Sequence, residues 1–120
     1  MSLYRDDILD HYHHPQNFGK PERFTHSCEQ GLQACGDRQI AYLMVENDLV
    51  MGAWFEGNGC AISTAATSLL TELLKGKTID QLKLMNQDDI VALLGSPIAA
   101  GRVNCAMLGL RSFQKAVGEN

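Results

Sequence analysis

The sequence has no C-x-x-C pair, so cysteine spacing alone does not specify a metal or redox site. Basic residues are in the minority, 10 Lys and Arg against 14 Asp and Glu, for a net charge of −4. That excludes the electropositive footprint of a nucleic-acid binder and leaves room for a basic protein partner. No apolar run approaches the roughly 20 residues of a membrane-spanning helix. The opening stretch, MSLYRDDILDHYHHPQNFG, is charged and polar and unlike a secretory leader. The expected location is therefore cytoplasmic, where thiols serve as ligands or nucleophiles more often than as disulfide partners. Internal repeats, low-complexity tracts and linkers are absent too. Residues 1–120 are expected to form a single domain with a modest core.

What is present fits a folded domain, with 45% apolar and 20% charged residues. Leu3 to Tyr12 read as a helix stopped by Pro15. Ile40 to Val45 and Leu49 to Phe55 are rich in β-branched, aromatic and apolar residues. With Glu46, Asn47 and Asp48 between them, they predict an antiparallel hairpin. A third strand is expected within Ser27 to Ala34. After Cys60 the period becomes helical, with Ile62, Ala66, Leu69 and Leu73 as the predicted stripe and Lys75-Gly76 as its stop. Short helices are expected over Thr78 to Leu84 and over Asn86 to Leu94, the latter closed by Gly95. A last helix starts near Gly101 or Arg102, with Val103, Met107, Leu110 and Phe113 or Ala116 facing inward. Strands early and helices late predict an α+β fold: a small antiparallel sheet covered on one face by helices. Trp54 and Phe55 are both expected in the core.

Cysteines occur at positions 28, 35, 60 and 105. Cys60 follows Gly57 and Gly59 in GNGCAIST, at a predicted strand-to-helix junction. A thiol there faces converging N–H groups and the positive end of a helix dipole, a setting for sulfur chemistry or metal ligation rather than core filling. Cys35 lies in ACGD, where Gly36 allows a sharp turn that aims Cys35 and Asp37 at one point. Cys105 falls in the first turn of the last helix, three residues after Arg102. Three thiolates and a carboxylate suit tetrahedral zinc or iron–sulfur work alike. The competing reading is a set of unrelated buried thiols.

The segments YRDDILDHYHHPQNFG, CGD, FEGNGCAIST, LLTELLKGKT and RVNCAMLGL, in that order along the chain, resemble the IscU/SufU/NifU N-terminal family of iron–sulfur cluster assembly scaffolds. The resemblance implies a three-stranded antiparallel sheet with helices packed on it. It implies a site formed by Cys35, Asp37, Cys60 and Cys105, with Cys105 as the persulfide acceptor. It further implies a transient [2Fe–2S] cluster built from iron and from sulfur delivered by a cysteine desulfurase, then passed to acceptor apo-proteins, with chaperone help in some members. Zinc is the metal implied for the resting form. Such a protein is an assembly scaffold and not a classical enzyme. The alternative within the family is a SufU-like zinc-containing sulfur acceptor, a sulfurtransferase.

The chain departs from both branches. IscU-type members have a histidine before the third cysteine and a Pro-Pro-Val-Lys chaperone motif; here Asn104 precedes Cys105, and SPIAAGRV replaces the motif. SufU-type members have Arg-x-x-Cys, as in Arg102 to Cys105, but carry an insertion between the last two cysteines that is missing here. Arg102 is expected to act on Cys105 or to compete for the Asp37 carboxylate. Cys28 reads as a small filler in the first strand. His11, His13 and His14 read as structural residues at a helix C-terminus. Lys75 and Lys77 read as surface residues at a helix end.

Overall fold

The two apolar runs pair as the sequence predicts. In the computed structural model, which describes residues 2–32, 36–95 and 98–118, a first helix α1 (Ser2–His13) precedes strands β1 (His26–Leu32), β2 (Asp37–Glu46) and β3 (Leu49–Asn58). All neighbours are antiparallel, in the order β1-β2-β3. The β2–β3 hairpin closes through Asn47 and Asp48, both at positive φ (53° and 63°). That left-handed pair matches the twist of the strands, and Asn and Asp are residues that tolerate it.

Helix α2 (Ala61–Leu74) follows directly on β3. Then come α3 (Ile79–Leu84), α4 (Gln87–Leu94), a 3-10 turn (Ala100–Arg102) and α5 (Val103–Ala116). Each short helix has a reciprocal cap that fixes its start: Thr78 with Gln81 for α3, and Asn86 with Asp89 for α4. Gly95 ends α4 in the left-handed conformation. The fold is α+β, as expected.

The core lies between one face of the sheet and α2 and α5. Ala41, Leu43 and Ala53 from the strands meet Ala66, Leu70 and Leu74 from α2, and Ala106, Leu110 and Phe113 from α5. The stripe predicted for α2 is rotated. Ala66 is buried as expected, but Ile62 and Leu69 are only partly buried and Leu73 is exposed, while Ala65, Leu70 and Leu74 turn inward. The cause is a second packing surface. Helix α1 and the loop after it cover hydroxyls of α2. His11 Nδ1 and Ser68 Oγ are 2.6 Å apart, the Gln16 N–H donates to Ser68 Oγ (2.7 Å), and Asn17 Nδ2 donates to Thr71 Oγ1 (3.0 Å). His11 therefore has a structural task.

Phe55 is core, where it meets Phe18 edge-on, but Trp54 is not. Adjacent residues of a strand point to opposite faces. Trp54 stands half-buried on the outer face of the sheet, directly across from Tyr42. Tyr42 is only 5% exposed there, covered by Phe24, and its hydroxyl donates to the Glu56 carboxylate.

Burial, then the hydrogen bond to Glu56 and the negative charges of Glu56 and Glu29, push the Tyr42 phenol from its ordinary 10.0 up to about 12. The folded state thus keeps a proton that the unfolded chain releases, so stability falls as pH rises from 10 to about 12. Absorbance titration is predicted to show one of the three tyrosines ionising late. The Tyr42→Phe change is predicted to remove both that step and the alkaline slope. Simultaneous titration of all three near 10 would contradict the assignment.

Candidate metal centre

Three elements begin or end at the same tip of the domain, and each carries one donor. Asp37 opens β2 directly after Gly36, whose φ of +72° turns the chain there. Cys60 is the N-cap of α2, in extended conformation (φ −74°, ψ 176°). Its sulfur accepts from the Ser63 N–H at 3.5 Å, in the place where Ser, Thr, Asn or Asp usually supplies an oxygen. Cys105 lies in the first turn of α5. Asp37 is 7% exposed, Cys105 6%, and Cys60 is half-buried.

The strand-to-helix junction explains how Cys60 reaches this tip. Gly57 has φ +128°, and a Cβ there would stand 2.1 Å from the Arg38 carbonyl oxygen. Only glycine lets the end of β3 lie so close to β2. The Cys60 N–H then donates to Asp37 Oδ2 at 3.4 Å, which ties the start of α2 to the start of β2.

The donor atoms of Asp37, Cys60 and Cys105 all lie within 4.8 Å of one another, and among the described residues no other His, Cys, Asp and Glu side chains form such a group. Neighbouring sulfurs around a tetrahedral zinc stand about 3.8 Å apart, given Zn–S bonds of about 2.3 Å. Two sulfurs and a carboxylate at this spread fit zinc or iron. Cys35, the third thiol of the expected set, falls outside the described residues.

Other candidates do not join the group. Cys28 sits in β1 opposite Ala41, four register steps from the Leu32–Asp37 pair, with only long sulfur contacts to the Glu29 carbonyl and Gln30. None of Cys28, Cys60 and Cys105 is in a disulfide. Arg102 is exposed and makes no ion pair among the described residues; the backbone of Cys60, not Arg102, donates to Asp37. Asn104 is exposed and accepts a hydrogen bond from Arg111, along α5. The sequence reading overlooked Gln39, Ser63 and Thr67, which lie just inside the donors. The signal was available: Gln39 is two residues after Asp37 on a strand, and Thr67 is seven after Cys60 on a helix, so each shares a face with its donor.

Comparison with known proteins decides the family. The NifU-like N terminal domain family matches residues 3–119, nearly the whole chain. The chain belongs to this family. It is 33% identical over 120 residues to iron sulfur cluster assembly protein 1 of Trachipleistophora hominis, covering 97% of this chain and 85% of the relative. It is 32% identical to the zinc-dependent sulfurtransferase SufU of Bacillus subtilis, covering 98% and 91%. A crystal structure from Fervidobacterium islandicum AW-1, described as an iron–sulfur cluster assembly scaffold for the SUF system, superposes with a TM-score of 0.79 at 25% identity, covering 97% of both chains. The family is thus the iron–sulfur cluster assembly group of IscU, SufU and NifU. Among the described residues, no helix is long and apolar enough to cross a membrane.

If the three donors share one ion, Cys60→Ala is predicted to abolish the stoichiometric zinc or cobalt bound by the intact chain, whereas Cys28→Ala leaves it unchanged. Metal analysis after anaerobic loading and dialysis checks both. Equal loss in the two variants, or in neither, would contradict the grouping.

Proposed function

We propose that the chain is a single scaffold domain, residues 1–120, on which a transient [2Fe–2S] cluster is assembled from iron and desulfurase-derived sulfur and then handed to acceptor apo-proteins. The observation that carries this reading is the approach of Asp37, Cys60 and Cys105 to within 4.8 Å, in a chain of the cluster-assembly family. Cys35, two positions before Asp37, is assigned as the fourth donor. The cluster is cargo and must leave. Carboxylate is a harder and weaker partner for it than thiolate, so Asp37 is assigned the role of the ligand that lets go. Placing the donors at element ends aids release.

Sulfur arrives as a persulfide. The Cys105 thiolate attacks the outer sulfur of the desulfurase persulfide; a new S–S bond forms at Cys105, and the desulfurase cysteine leaves as thiolate. Since Cys105 is only 6% exposed, the surroundings of its sulfur must open for the donor to reach it. The partners proposed are a cysteine desulfurase and acceptor apo-proteins, with neither nucleic acid nor membrane involved, in the cytoplasm. SPIAAGRV in place of Pro-Pro-Val-Lys argues against reliance on a chaperone that reads that motif.

A second reading is favoured by the likeness to SufU and by the Arg102-x-x-Cys105 spacing. Under it zinc is resident, held by the same four residues, and supplies fixed positive charge beside the thiolates, while Cys105 accepts sulfur. Against it, the alignment with SufU spans 135 positions for a 120-residue chain, so that relative has at least 15 residues this chain lacks.

Anaerobic reconstitution with iron, cysteine and desulfurase separates the two. The scaffold reading predicts a brown protein containing iron and acid-labile sulfide. Retained zinc, with faster desulfurase turnover and no colour, would overturn it in favour of the second. The weak-ligand role predicts that Asp37→Ala slows cluster transfer to an apo-ferredoxin about tenfold while retaining the cluster. Loss of all bound metal in that variant would contradict the role.

A further inference from the structure

Just inside the three donors lies a buried polar tie between β2 and α2, with α5 packed against it. Gln39 is 2% exposed and Thr67 1% exposed. The Thr67 hydroxyl donates to Gln39 Oε1 at 2.8 Å, with the Ser63 carbonyl also within reach at 2.9 Å, and Gln39 Nε2 donates to the Ser63 carbonyl at 3.4 Å. On the other side of Thr67 is Gly109, where a Cβ would stand 2.2 Å from Thr67 Oγ1. Each member is in phase with a donor: Gln39 is two strand residues from Asp37, Thr67 two helical turns from Cys60, and Gly109 one turn from Cys105.

We propose that Gln39 and Thr67 are positioning residues, which act through β2, α2 and α5 to fix the spacing of Asp37, Cys60 and Cys105. Two features argue for this over a merely structural role. Directional hydrogen bonds join β2 to α2 where apolar packing would have filled the space, and α5 is seated against the same threonine through Gly109. A buried amide whose partner is removed has no water to replace it, so the strand and helix must shift to find another.

The inference rests on reading the three side chains as one site, and its test is independent of metal. Thr67→Val keeps the shape of the side chain and removes the hydroxyl, while Thr67→Ser keeps the hydroxyl. In a chain with Cys28→Ser and Cys35→Ser, two thiols remain, and dibromobimane, which fluoresces once both its arms have reacted, reports how readily Cys60 and Cys105 meet. Thr67→Val is expected to slow this cross-linking about tenfold, and Thr67→Ser to stay near the parent rate. Ser112→Ala, which removes a buried hydroxyl bonded only within α5, is expected to leave the rate unchanged. Unaltered cross-linking in Thr67→Val, or an equal loss in Ser112→Ala, would overturn the proposal. With native cysteines, Thr67→Val is expected to weaken cobalt binding about tenfold and to shift the sulfur-to-cobalt absorption bands. If the parent cross-links as expected but binds no cobalt, the positioning role stands and the functional reading fails.

Discussion

Helix α5 can reach the tip of the domain only by lying closer to α2 than ordinary side chains permit. Gly109 faces Thr67, and one added carbon there would meet the threonine hydroxyl at 2.2 Å. Everything at the site follows from that approach and from its counterpart at Gly57, where β3 hugs β2. The first brings Cys105 to Cys60; the second brings Cys60 to Asp37. Gly109 is buried between the two helices, whereas Gly57 lies at the exposed end of the hairpin.

The site also uses groups that secondary structure needs anyway. Cys60 caps α2 with sulfur, a poorer acceptor than the oxygen of Ser or Asp. Asp37 accepts the backbone N–H of Cys60. An incoming ion or cluster would compete for both acceptors, so loading and local capping are opposed. Under the scaffold reading proposed above, such opposition is useful: departure of the cargo would restore both contacts.

Much of this was legible from sequence, because it rests on local chemistry. The hairpin followed from two apolar runs around Glu46-Asn47-Asp48. The helix ends followed from Thr78, Asn86 and Gly95, and the Cys60 junction from the change of period after Gly57 and Gly59. What could not be read was parity and partnership. Trp54 and Phe55 are equally apolar, and only the register against β2 says which faces the helices. The hydroxyls of Thr67, Ser68 and Thr71 in α2 are buried, since Gln39, His11, Gln16 and Asn17 arrive from elsewhere in the chain to satisfy them. That rotated the predicted stripe of α2 and hid the tie beneath the donors.

The central claim is that three sulfurs and one carboxylate oxygen, from positions 35, 37, 60 and 105, share one centre. X-ray absorption at the zinc edge of the zinc-loaded, cluster-free protein tests it most directly. The account predicts a first shell of three sulfurs and one oxygen, with the oxygen contribution altered in Asp37→Cys and one sulfur lost in Cys35→Ser. A shell dominated by nitrogen and oxygen, or one indifferent to both substitutions, would contradict it.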